Sequence, residues 1–285
     1  EEKTYTYDAA GNVVREVLRA SGLKGGAVQA EAVRTTDITY AVSATRRILD
    51  RHASVVVRDG AGKIVSETRS YYDGAAFAGM PLGQMDRGQL MRESRVALPD
   101  SVFAVHYAGM DAAGLGYRKE ADADGVESWW IDTKRYSRDA RGIVLGERDP
   151  VGNDRTFEYD AAGVFKTALT DAIGATQFDV DRAVGQPAQI RYADGTSAQF
   201  KYDAQGRVLS GLLPGDDPAH PPRSYEYDDA VVPNCRTMRT NIKRDGSAPG
   251  EVLTYFTGRG EEFQHRAQSD AGQYVVSGLR RFNPW

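Results

Sequence analysis

One short turn recurs through this chain at near-constant spacing: Tyr7-Asp8-Ala9-Ala10-Gly11, Tyr159-Asp160-Ala161-Ala162-Gly163 and Tyr202-Asp203-Ala204-Gln205-Gly206. Weaker copies fall between. Asp139-Ala140-Arg141-Gly142 keeps the aspartate and glycine without the tyrosine, Val180-Asp181 through Gly185 carries one extra residue, and Tyr227-Asp228 keeps only the opening. Asp139, Asp160, Asp181, Asp203 and Asp228 follow one another at steps of 21, 21, 22 and 25. A second series runs between them: Asp149-Pro150-Val151-Gly152, Asp171-Ala172-Ile173-Gly174 and Ala193-Asp194-Gly195, whose glycines are 22 and 21 residues apart. Each repeat therefore holds two turns, and a fixed period of this kind governs every other inference about fold.

The segments between turns are short and β-prone, such as 155–159, 164–168, 176–180 and 197–202. Several alternate with period two, which sends Phe157 with Tyr159, Phe178 with Val180, Phe200 with Tyr202 and Tyr225 with Tyr227 to one face each. One repeat reads as one β-hairpin. The aspartate that opens the turn accepts hydrogen bonds from backbone N–H groups two positions on, and the glycine that closes it takes a positive φ. The aromatic before the aspartate closes the strand onto its neighbour. An isolated hairpin is marginal in water, so each must bury its aromatic face against the hairpins before and after it.

Other repeat types fit less well. Leucine-rich repeats need a regular leucine ladder, and calcium-binding nonapeptides need GGxGxD runs, neither of which occurs. Two units together approach the length of a propeller blade, so a propeller remains open as an alternative fold. Composition narrows function. Lys plus Arg total 36 against 40 Asp plus Glu, interspersed, which provides no basic stripe for nucleic acid. The single cysteine, Cys235, permits no internal disulfide, and His52, His106, His220 and His265 are too scattered for metal-ligand spacing. No apolar run approaches bilayer length. The chain opens Glu1-Glu2-Lys3 with neither an initiator Met nor a charged-then-apolar leader, so the expectation is a piece of something longer.

At these turns the sequence resembles the YD-repeat family, also called RHS repeats, over residues 136–230. Residues 66–94, with a YYDG turn before Gly79-Met80-Pro81-Leu82-Gly83, resemble the middle region of the B component of bacterial insecticidal toxin complexes. Residues 255–285 resemble the same component's DGxGR strand pair and its VVSG stretch ending in Phe282-Asn283, with Thr257 where the family has Asp and Met80 where it has Leu. The resemblance implies an all-β fold, in which stacked antiparallel β-hairpins form a curved, spiralling sheet that is part of a hollow shell. It divides the chain into degenerate repeats at 1–135, regular repeats at 136–230 and further strands of the same shell at 231–285. It implies a secreted or exported bacterial protein that encloses a toxic C-terminal effector. The partners would be the rest of the shell, the encapsulated toxin domain and a toxin-complex C component. A cell-surface, glycan- or receptor-binding module is the alternative.

No catalytic residue, metal site or cofactor is expected. Related shells cut themselves with aspartates in motifs like Asp149-Pro150-Val151-Gly152, but that chemistry needs a second close carboxylate, and this copy sits in register with the other turns. Glu120 to Gly125 mimics the start of a calcium loop and fails at its twelfth position, Ile131, where a bidentate Glu is required. Tyr71-Tyr72 and Trp129-Trp130 are each expected to place one ring on either face of a strand, in packing. Residues 79–93 break the strand rhythm and read as a loop leading into a short helix or strand.

Overall fold

The computed structural model describes the chain except residues 25, 26, 44, 219, 220, 231–233, 241–249, 258, 270, 271 and 281–285, together with the side chains of 21–30 and 234–240. His220, Gly258, the Cys235 side chain and the Phe282-Asn283 dipeptide thus lie outside the described residues. The chain divides into two compact units, Glu1–Phe157 and Glu158–Trp285. Both are built from antiparallel β-hairpins.

The first unit runs β1 (Glu2–Tyr7), β2 (Val13–Lys24), β3 (Ala27–Ser43), β4 (Ile48–Asp59), β5 (Ile64–Tyr72) and β6 (Leu90–Pro99), each paired with the next. A helix, α1 (Asp100–His106), then leads to β7 (Tyr117–Ala121), β8 (Glu127–Arg138), β9 (Val144–Arg148) and β10 (Asp154–Tyr159). Here the order is locally reshuffled, because β8 inserts beside β6 and β7 takes the far edge of the upper half of β8. Sequence reading treats residues 1–135 of this unit as degenerate. Its strands are in fact long, 17 residues in β3 and 12 in β2, β4 and β8, so the hairpins persist while the spacing of their turns does not.

The small core of this unit lies under the loop of residues 73–89. Ala41, Ala53, Tyr72 and Met85 are all nearly inaccessible, with Ile48 and Leu90 packed against them. Tyr71 and Tyr72 are both buried and project to opposite faces, Tyr72 into this core and Tyr71 beneath the Arg92 guanidinium. Trp129 and Trp130 divide in the same way. Trp130 is fully buried under Arg69, and Trp129 packs against Phe103 of α1 with ring centroids 4.6 Å apart. The helix is seven residues long, buries none of them, and is tied by Asp100, whose carboxylate accepts from Trp129 Nε1 and Lys119 Nζ.

The second unit continues with β11 (Lys166–Asp171), β12 (Gly174–Asp181), β13 (Gln186–Arg191), β14 (Ser197–Tyr202), β15 (Val208–Leu212), β16 (Arg223–Asp228), β17 (Asn234–Thr240), β18 (Gly250–Phe256), β19 (Glu262–Gln268) and β20 (Tyr274–Ser277). Each pairs antiparallel with its successor. The period-two alternation is visible in burial: Thr176, Phe178 and Val180 are half-buried while Ala175, Gln177 and Asp179 are exposed. Phe200 and Tyr202 in β14, and Tyr225 and Tyr227 in β16, follow the same rule.

Candidate functional site

The repeated turn is a four-residue β-turn closed by a left-handed glycine. In the first copy Gly11 N donates to Asp8 O at 3.1 Å, Asp8 N donates to Asn12 O at 2.9 Å, and Gly11 has φ 88°. A turn of this kind splays two strands unless a bulge corrects their twist. The bulge is present at seven positions, while the ladders flanking Asp122, Asp149, Asp194 and Asp228 run without one. The register shifts at Tyr7, Arg58, Tyr72, Arg138, Val180, Tyr202 and Phe256, directly before Asp8, Asp59, Asp73, Asp139, Asp181, Asp203 and Thr257.

The aspartate holds the turn with its carboxylate. Asp8 Oδ1 accepts from Ala10 N at 2.9 Å and Asn12 N at 2.8 Å, Asp139 Oδ1 from Arg141 N and Ile143 N, and Asp203 Oδ1 from Gln205 N and Arg207 N. In each case the second donor lies four positions on, which sequence reading did not supply. Asp160 accepts from Val164 N and Phe165 N, and Asp181 and Asp228 from the second residue after them. The backbone bond from glycine back to aspartate recurs at Gly142, Gly163 and Gly206. These bonds act on the charged form. The Asn12 backbone N–H holds Asp8 below the usual carboxylate range, as the Val164 backbone N–H does Asp160.

The second series is less uniform. Asp149 repeats the full pattern, accepting from Gly152 N, Asn153 N and Asn153 Nδ2, and the Asn153 side chain lowers its pKa. Asp171 and Gly174 face each other in a tighter hairpin, with Ile173 N donating to Asp171 Oδ1. In the third copy Tyr192 opens the turn, since Gly195 N donates to Tyr192 O, and Asp194 occupies the third position, where it accepts from Thr196.

Two further copies escape the sequence signature. Asp59 holds Ala61 N and Lys63 N, and Asp122 holds Asp124 N and Val126 N. The segment that imitates a calcium loop is therefore one more turn, with Asp124 on Arg58 and Glu120 on Arg118. Among the described residues no group of three or more His, Cys, Asp or Glu could hold a metal ion. Thr257 keeps the geometry of the other turns with longer bonds, its hydroxyl accepting from Arg259 N at 3.3 Å and Glu261 N at 3.2 Å.

The aromatic before the aspartate reaches backwards. Tyr202 Oη donates to Pro187 O at 2.9 Å and Tyr227 Oη to Val208 O at 3.0 Å, in each case on the preceding strand, while their backbones pair with the following one. Tyr72, before Asp73, does the same to His52 O, and Tyr40, which precedes no turn aspartate, likewise reaches back to Val13 O. Where arginine replaces tyrosine, Arg138 Nε donates to Leu90 O on β6 and fills the same role. Tyr7 is exposed, because β1 has no earlier described strand to receive its phenol.

A second constellation lies on β5 to β8. Glu67, 1% exposed, accepts from Arg69 Nε and from Ala123 N, and Arg69 covers Trp130 at 4.1 Å. Ser94, fully buried, donates to Asp132 Oδ1 at 2.6 Å; Arg118 bonds Ser94 Oγ, Asp132 and Glu120. Arg92 and Arg135 complete the group, directly opposite one another in the β6–β8 ladder. Nothing in the repeat signature announces this cluster. The closeness of Arg and acid within 92–95, 118–120 and 132–135 is its trace in the sequence.

Solved structures with the same arrangement of strands exist. A Photorhabdus luminescens Tc holotoxin pore superposes with a TM-score of 0.75 at 10% identity, covering 98% of this chain and 21% of the other. A crystal structure of TcdB2-TccC3 gives 0.66 at 11% identity over 88% of this chain and 17% of the other. A second, of TcdB2-TccC3-TEV, gives 0.66 at 10% over 98% and 20%. The likeness is one of fold. This chain spans about a fifth of the length of those toxin chains. No protein-family profile and no curated protein matches the sequence.

Proposed function

We propose that this chain is a stretch of structural wall from a secreted bacterial toxin of the YD-repeat type, part of a hollow shell that encloses a toxic effector polypeptide. The observation that carries the reading is the superposition on Tc toxin chains over almost the whole length at 10% identity. The repeated Asp-to-Gly turn, with its bulge and backward-reaching tyrosine, supports it independently, because such units stabilise only by stacking on their neighbours.

The mechanism is passive. Backbone ladders and stacked aromatic faces form the barrier, enclosure keeps the guest away from the producing cell, and no residue performs chemistry. Asp149 is engaged by its own turn. The remainder of the shell, the enclosed domain and a toxin-complex C component are the partners. Burial of Tyr71, Tyr72 and Trp130 weighs against a glycan-binding role, since it removes those rings from any exposed platform. Single-particle imaging of the intact parent protein tests the reading: a closed wall around internal density is expected, and an open array or a solid packed centre overturns it.

A further inference from the structure

The cluster on β5 to β8 is one negative charge short. Its guanidinium groups belong to Arg69, Arg92, Arg118 and Arg135, and its carboxylates to Glu67, Glu120 and Asp132. Arg69 and Arg118 are fully engaged. Arg135 lies 3.6 Å from Asp132 Oδ2, beyond hydrogen-bond reach, and Arg92 meets no carboxylate among the described residues, lying instead 3.9 Å over the Tyr71 ring. The neighbouring Glu93 is engaged by Lys134 and Thr133.

Like charges placed directly opposite on adjacent strands destabilise a sheet, and the Nε atoms of Arg92 and Arg135 are both buried without a hydrogen-bond partner. Buried donors in that state cost free energy unless a partner arrives. Burial holds the Arg135 guanidinium below its usual pKa; Asp132 opposes this, and the guanidiniums of Arg148, Arg92 and Arg118 add to it. Arg135 also lines an open cleft of about 330 Å³, with Lys134, Arg148 and Arg155 on one side of the charge balance and Glu147 and Asp149 on the other.

We propose that Arg92 and Arg135 form a binding site for one carboxylate side chain of an acidic, extended polypeptide laid along this face. Arginine's planar fork suits a carboxylate. The deficit of a single charge matches a monoanion rather than a phosphate dianion, and the mixed-sign cleft beside Arg135 suits the rest of a polar chain. The inference stands on this face alone and does not depend on the shell reading.

The test is fluorescence polarisation with the whole 285-residue chain and a labelled short peptide carrying glutamates, compared with the same peptide carrying glutamines. The glutamate peptide is expected to bind about tenfold more tightly or better, the scale of a charge-assisted hydrogen bond. Arg92→Gln and Arg135→Gln should each lose that factor while the melting temperature holds or rises, because repulsion is relieved. Equal binding of the two peptides, or unchanged binding by both variants, overturns the proposal. So does inorganic phosphate binding in place of the peptide, which would mark a simple ion site, and so does a sharp fall in melting temperature in both variants, which would make the pair a structural strut.

Discussion

At the scale of single residues, the turn aspartates act as small anion-binding devices turned inside out, each carboxylate collecting backbone N–H groups that the bulged strand would otherwise leave bare. Their pKa values are lowered in the fold at Asp8, Asp149 and Asp160, first by the Asn12 backbone, the Asn153 side chain and the Val164 backbone respectively. A lowered folded pKa means that the contribution is complete above the ordinary carboxylate value of 3.8 and is lost as pH falls through the folded values. The melting temperature is therefore expected to be level at neutral pH and to fall below that value, less steeply in Asp160→Asn; a level profile in acid would contradict this. Thr257→Asp should raise the melting temperature by making charge-assisted bonds where the hydroxyl makes long ones. Tyr202→Phe should cost about 1 kcal/mol in denaturant titration through loss of its bond to Pro187 O. The Asp and Gly of the turn were legible because their chemistry is local. The phenol's acceptor was not, since it lies on another strand, and Asp59 escaped because, unlike Asp139, which also follows an arginine, it has no neighbouring copies in step with it.

At the scale of elements, the loop of residues 73–89 is fastened by one side chain. Asp73, buried and at φ 48°, accepts from the backbone N–H groups of Asp86, Arg87, Gly88 and Gln89. Asp73→Ala should cost about 3 kcal/mol or more by orphaning these donors, with proteolytic cleavage inside 73–89 as the second readout. The sequence placed the break in strand rhythm at 79–93, whereas β6 already begins at Leu90, and the anchor is a contact between positions up to 16 residues apart that left no pattern. The helix α1 was invisible for a different reason: it buries no residue, so no amphipathic period exists to be read. The arginine cluster likewise depends on β8 inserting beside β6, an order that no spacing reveals.

At the scale of the molecule, the regular repeats of 136–230 follow the sequence period, while residues 1–135 keep the hairpin plan with longer strands and lost spacing. Among the described residues β1 pairs only with β2 and β20 only with β19, leaving edges that template pairing with other copies. Light scattering of the isolated chain should show dimers or larger species, and a monodisperse monomer would contradict it. The tyrosine bonds add a direction to this architecture. Every acceptor of Tyr40, Tyr72, Tyr202 and Tyr227 precedes its donor in the chain. During synthesis the amino-terminal side always leaves the ribosome first, so each new phenol finds its acceptor already waiting. These phenol bonds can thus close in the order of translation, each as its own strand emerges, even though the backbone ladders still wait for the strand that follows.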